Sequence, residues 1–211
     1  ALTAPMAIGV GQLEVGFDTR DNFDDSVPVV ADFILISEEF QSSPAPIYVV
    51  VEGDVVSEGG KEAVREVIGV LGQDERVTVV ISDLWSTLDS TRGSDSELSS
   101  LMLSVESGED GSWSDLREWL TGTDAGRDVS SGLLSGDGQQ TLVSFQAATL
   151  DWSDTNSFES ELSSVLSASV SESGFTADLS GRSLILAQIT SDVAEAAVLS
   201  TVIVAGVILL M

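Results

Sequence analysis

Hydrophobic and polar residues are arranged in three ways along this chain, and each arrangement predicts a different kind of element. Within 58–73, Val64, Val67, Ile68 and Leu71 recur at spacings of three and four, the stripe of a helix with one face against a core. The same period governs 26–41. There Ser26-Val27-Pro28 opens the segment, with Pro28 suited to a first helical turn, and Val29, Val30, Phe33, Ile36 (or Ser37) and Phe40 follow as a stripe. Ser42-Ser43-Pro44-Ala45-Pro46 ends that helix, because each proline pushes its predecessor out of the helical region. A third stripe, Phe158, Leu162, Val165, Leu166 and Val170, stands behind an apparent capping box at Asn156-Ser157-Phe158-Glu159. The second arrangement is the short β-branched run. Ile47–Val51, bounded by Pro46 and Gly53, is continuous and predicts a central strand buried on both faces; Val77–Ile81 predicts another strand. Phe175–Leu179 alternates as a half-buried strand does.

Between the second strand and Gly138 this rhythm breaks. Ser94-Asp95-Ser96-Glu97 reads as a capping box ahead of Leu98, Leu101, Met102 and Val105, and Ser112-Trp113-Ser114-Asp115 as a second ahead of Leu116, Trp119 and Leu120. Gly- and Asp-rich turns separate them, so the stretch predicts a two-helix insertion at about 83–128, with Trp113 and Trp119 in a small satellite core. Val129–Ser135 and Gln140–Leu150 flank Gly136-Asp137-Gly138, a turn signal that predicts a hairpin. No lysine and no helix follows those glycines, which argues against a phosphate loop. Setting the insertion aside, the order is strand, helix, strand, strand, helix, strand. That is an α+β, ferredoxin-like βαββαβ core whose two helices share one face of a four-stranded sheet.

The third arrangement is the unbroken apolar run Val198–Met211, which follows a helical stretch beginning near Leu184. It is uncharged and covers roughly 20 Å as a helix, against a hydrocarbon core of about 30 Å, so it reads as part of a spanning helix. A buried core helix and the tail of a sorting signal are the competing readings. Ala1–Val10 is also apolar and lacks the positive flank of a signal peptide, and it reads as the end of another membrane segment. The expected organisation is therefore a membrane-segment end and acidic linker at 1–25, an extracytoplasmic domain at 26–180, and a helix leading into a membrane segment at 181–211.

Composition narrows the chemistry. The net charge is −27, from 35 acidic and 8 basic residues, which makes nucleic acid a poor partner because phosphate binding needs clustered Lys and Arg. Lys61 is the only lysine. Acidic excess with so little lysine fits a protein working in concentrated salt, which screens carboxylate repulsion over about 3 Å at 1 M, with an ordinary acidic secreted domain as the alternative. There is no Cys and no His, so thiol nucleophiles, disulfides and the commonest general base and metal ligand are all missing. Asp18, Asp21, Asp24 and Asp25 are rich in oxygen ligands but miss the spacing of a calcium loop and read as solvated linker. Glu38 and Glu39 are a poor catalytic pair, because adjacent residues on a helix do not face one another. No catalytic, cofactor-binding or metal residue is expected, and no cofactor.

Several stretches resemble the first extracytoplasmic loop of RND-superfamily transporters of the MMPL type. They are Asp24-Asp25-Ser26-Val27-Pro28 with Glu38-Glu39-Phe40, Val49-Val50-Val51-Glu52-Gly53-Asp54, Leu133–Gln140 around Asp137-Gly138, and Leu179-Ser180-Gly181-Arg182-Ser183. The resemblance implies the extracytoplasmic, porter-like domain of an ion-gradient-driven exporter of lipids or other hydrophobic molecules, in the cell membrane with this domain on the extracellular face. Its implied partners are membrane lipid at the terminal apolar segments, the remaining transporter domains of the same chain, and a hydrophobic or lipid substrate. The charged relay of that family lies on spanning helices outside this sequence, so no coupling or substrate-binding residue carries over. Asp192 and Glu195, ahead of the apolar run, read as solvated. The alternative is a membrane-anchored extracellular binding or adhesion domain.

Overall fold

A computed structural model describes residues 46–148 and 152–181, together with separate helical positions between 184 and 207. The expected helix at 26–41, the acidic cluster at 18–25, the Glu38–Glu39 pair, Asp192 and Glu195 lie outside the described residues. The protein is α+β. Strands β1 (Ile47–Glu52), β2 (Val77–Ser82), β3 (Gln140–Ala147) and β4 (Thr176–Gly181) form one sheet in the order β2-β3-β1-β4, with every neighbouring pair antiparallel. Helix α1 (Glu58–Leu71) joins β1 to β2, and α6 (Trp152–Ser171) joins β3 to β4. Each crossover thus connects two parallel strands that have a strand of the other unit between them.

β1 sits at the centre, in unbroken register with β3 on one side (Val49 opposite Val143) and β4 on the other (Val49 opposite Leu179). Ile47, Val49 and Val51 are buried, but Tyr48 and Val50 are only half-buried and Glu52 is exposed. The continuous apolar run therefore does not report burial on both faces, as the sequence suggested. The crossover helices pack on the Val49 face, where Phe145 of β3 meets Phe158 of α6 at 6.5 Å between ring centroids. β-branching at Tyr48's neighbours serves strand propensity as much as burial. At the far edge β2 is irregular, with register shifts around Thr78 and Ile81, and Val79 and Ile81 lie half-exposed.

The stretch read as a two-helix insertion holds four helices: α2 (Leu84–Thr91), α3 (Ser96–Ser107), α4 (Ser112–Gly122) and α5 (Asp124–Ser130). The missed α2 follows β2 with one residue between, Asp83, whose buried carboxylate accepts from the backbone N–H of Trp85 (2.9 Å) and Ser86 (3.0 Å). Three cap assignments change. At α3 the cap is Asp95, whose carboxylate takes the N–H of Glu97 and Leu98, while the Ser94 hydroxyl donates back to the Thr91 carbonyl. At α4 the cap position is Gly111 with a positive φ of 84°, and Ser112 lies inside the helix, buried. At α6 the helix starts at Trp152, so Asn156–Glu159 is interior. Serine fits caps and helix surfaces alike, so a serine-rich chain offers more box patterns than it has helix starts.

The hairpin is also shorter than expected. Val129 and Ser130 belong to α5, and the first arm is reduced to a single bridge, Leu134 opposite Thr141, closed by a turn in which Gly138 takes φ of 72°. Inside the insertion α5 turns back against α4 at Gly126, where any Cβ would run into the Trp119 carbonyl oxygen. Leu98, Met102, Leu116, Trp119 and Leu120 are buried in the same apolar cluster as Val49, Val64 and Phe145, so the insertion extends the main core instead of making a satellite.

Candidate functional site

A concavity carrying charge lies where α1 ends and β2 begins. Val70 of α1, the connecting Gln73–Arg76, and Glu161, Leu162 and Val165 of α6 line a groove of about 380 Å³, at the small end of ligand-sized sites. Its organising group is Arg76. The guanidinium Nε and Nη2 donate to the two oxygens of Asp74 at 2.9 and 2.8 Å, and Nη1 donates to Glu161 Oε2 at 2.9 Å. The Arg76 backbone N–H also donates to Asp74 Oδ1 at 2.9 Å, closing a tight local turn. Beneath, the guanidinium lies 4.9 Å from the Phe158 ring centroid, so the ion pair rests on an aromatic of the core.

This geometry sets the protonation states. The Arg76 side-chain hydrogen bonds hold the Asp74 carboxyl below the usual carboxylate range, against the opposing effect of partial burial. The same bonds to Asp74, with Glu161 adding, push the Arg76 guanidinium further up. A carboxylate held ionised in this way is poorly matched to proton transfer near neutral pH. What the arrangement does is tie α6 to the α1–β2 turn and leave an apolar floor with a polar rim.

A pH dependence follows. The folded pKa of Asp74 is depressed, so its contribution to stability is complete above the unfolded value of about 3.9 and is lost as pH falls through the lower folded value. Asp74→Asn is expected to cost about 1 kcal/mol at neutral pH, discounted for partial exposure. The gap to the unsubstituted protein should stay constant down to about pH 5 and close below about pH 4. Urea midpoints measured across that range check this; a gap that widens in acid contradicts it.

A second groove, about 370 Å³, runs along α6 beside Glu159, Ser160, Ser163, Ser164 and Ser167. It is open and lined by small side chains. Trp113 and Trp119 do not make an exposed binding surface. Trp119 is buried, and Trp113 is half-buried with its ring edge-on to Trp85 at 5.8 Å between centroids. Lys61 reaches over the other aromatic of that pair, 5.4 Å from the Trp85 centroid, and so fastens α1 to the insertion. Arg117 does the same from α4, pairing with Asp54 and donating to the Val56 carbonyl at 3.0 Å. Asp137 of the Gly-Asp-Gly turn is taken up locally, accepting from the Ser135 hydroxyl (2.6 Å) and the Gln139 N–H (3.1 Å). Among the described residues no group of three or more His, Cys, Asp or Glu is placed to hold a metal ion.

The Arg76 cluster was not singled out from the sequence. Its visible trace is Asp74-Glu75-Arg76, an Asp two residues before one of few basic residues, directly ahead of a strand. Glu161, 85 residues away, has no local signal at all.

Following β4, the described positions of 184–207 are helical. Leu184 is buried, whereas Ile185, Ile189, Val193, Leu199, Ile203, Val204 and Val207 are each more than half exposed. Among the described residues no helix is long and apolar enough to cross a membrane. Compared with protein-family models, curated proteins and solved structures, the chain matches none.

Proposed function

We propose that this chain is the extracytoplasmic, porter-like domain of an ion-gradient-driven exporter of the RND/MMPL type, which moves lipids or other hydrophobic molecules. The observation that carries the reading is the exposed apolar series Ile185, Ile189, Val193, Leu199, Ile203, Val204 and Val207 on the helix entered from β4. So many large apolar side chains facing outward call for a lipid or protein environment, and an uncharged stretch at 198–211 favours lipid. The central sheet supports it too. Two crossover helices on a sheet ordered β2-β3-β1-β4 support reading the core as ferredoxin-like βαββαβ, the fold that the sequence resemblance implies. That fold hosts many functions and adds no substrate.

On this reading the domain, 26–180, stands on the extracellular face of the cell membrane and forms a moving wall of the substrate path. Its partners are membrane lipid, the other domains of the same transporter, and the hydrophobic cargo. The test is made in the cell: delete the parent gene and follow efflux of hydrophobic dyes and the lipid composition of the outer leaflet. Deletion should slow export, and an uncoupler should abolish in the parent strain what deletion removes. Unchanged export with loss of surface attachment would instead favour a membrane-anchored binding or adhesion domain.

A further inference from the structure

The two edges of the sheet differ. β2 is irregular, with register shifts around Thr78 and Ile81. β4 keeps unbroken register with β1 and carries no proline, lysine or bulge, the usual devices that blunt an edge. Among the described residues no strand pairs with the outer side of β4. The Gly53 N–H donates to the Gln139 carbonyl at 2.9 Å, so by alternation Val49 and Val51 direct their backbone groups to β3, and Tyr48 and Val50 direct theirs to β4. On β4 this engages Asp178 and Ser180, and it turns the N–H and C=O groups of Ala177, Leu179 and Gly181 outward. Ser167 of α6 donates to the outward Ala177 carbonyl at 3.4 Å, which sets α6 beside the edge. There α6 presents Ser160, Ser163, Ser164 and Ser167 along the groove of about 370 Å³, on the side away from Arg76.

We infer that β4 pairs with β4 of a second copy of this chain about a two-fold axis at Leu179, joining the two sheets into one. The outward groups choose this register. Antiparallel pairing centred on Leu179 sets the two Leu179 residues opposite one another and each Ala177 opposite the other copy's Gly181, so every outward group finds a partner at once. Asp178 then falls opposite Ser180, whereas centring on Asp178 would put two carboxylates face to face. The same axis brings the serine-lined sides of the two α6 helices together, and small side chains let helices approach to about 8–10 Å. The area suffices. α6 has 20 residues and is about 30 Å long, and a helix-on-sheet layer is roughly 20 Å thick, so this side offers about 600 Å² per copy and about 1,200 Å² in all, the lower bound of a specific interface. The two Asp178 carboxylates stand diagonally, about 8 Å apart, and are screened at 1 M salt, where the Debye length is about 3 Å. This inference does not rest on the exporter reading, and it holds for an anchored binding domain as well.

The chain has no cysteine, so engineered ones report the register without ambiguity. Full-length Asp178→Cys and Ser180→Cys proteins are mixed and oxidised in molar salt, with detergent covering the terminal apolar helix. The mixture should form interchain disulfides about tenfold faster than either protein alone. Positions 178 and 180 of two copies stand opposite one another at about 4.5 Å between Cα atoms, while like positions are diagonal and beyond the reach of about 7 Å. Light scattering should give a dimer. Leu179→Pro, which removes an outward N–H and leaves pairing to β1 intact, should give a monomer with the circular dichroism of the unsubstituted protein. If that variant does not fold, the cysteine mixture still decides. Equal cross-linking by the mixture and the single proteins, a dimer that survives in folded Leu179→Pro, or a monomer in molar salt would each overturn the inference, the last by leaving the edge to an extended segment of another protein.

Discussion

Replacing Phe145 by alanine is expected to lower stability by about 3–5 kcal/mol, the usual range for deleting a fully buried aromatic. Phe145 lies in β3 opposite Ile47 of the central strand and is completely buried. Its ring meets Phe158 of α6 at 6.5 Å and 56°. Phe158 in turn has the Arg76 guanidinium 4.9 Å from its ring centroid, so the cavity would open next to the ring that supports the Asp74–Arg76–Glu161 clamp. Neither backbone there can readily collapse, because Phe145 is pinned by strand pairing on both sides, to β1 and to Val80 of β2. The loss is a large share of the roughly 5–15 kcal/mol that holds a domain together. Denaturant midpoints in concentrated salt measure it, with Val165→Ala on the exposed side of α6 as the comparison, expected within about 0.5 kcal/mol. A Phe145→Ala loss no larger than that would mean that the α6-to-sheet contact contributes little to this core.

What could be read from the chain and what could not divides along a physical line. β1, β2 and α1 were legible because their signals are local and redundant: β-branched runs between Pro46 and Gly53, and a Val64–Val67–Leu71 stripe behind Ser57, whose hydroxyl accepts the Gly60 N–H. α2 was missed because β2 passes into it through Asp83 alone, with neither glycine nor proline to mark the change. The capping boxes at Ser112 and Asn156 misled because serine is common throughout α6 and the insertion, and a pattern repeated by composition loses its meaning as a start signal. Burial of β1 on both faces was over-read, since a continuous run of valines is equally at home on a strand with one face only half-buried. The Arg76 groove was beyond reach for another reason: Asp74 and Arg76 are neighbours, but Glu161 and the Phe158 ring arrive only through the second crossover.

On the proposed membrane reading, substituting aspartate at both Ile203 and Val207 is expected to abolish flotation of this chain with lipid. The two residues lie one helical turn apart and are each more than half exposed, in a stretch where every charged residue is absent from 198 to 211. An aspartate near the centre of a membrane helix costs about 2.5–3.5 kcal/mol, so two of them change partitioning by roughly ten-thousandfold. Flotation with lipid vesicles in molar salt reads this directly, since salt suppresses electrostatic attachment and leaves the apolar contribution. The unsubstituted chain should float, Ile203→Leu/Val207→Leu should float as well, and the double aspartate variant should stay at the bottom of the gradient. The fold provides its own check, because Leu184, at the start of this helix, is buried against the domain and the substituted positions lie about five turns beyond it. Thermal unfolding of the domain should therefore be unchanged by the aspartates. If the unsubstituted chain does not float, the exposed series belongs against protein, and the membrane reading loses the observation that carries it. If all three forms float, lipid binding resides elsewhere in the chain. A loss of flotation with an unchanged melting temperature would place the membrane contact on the helix that β4 feeds, mechanically continuous with the sheet.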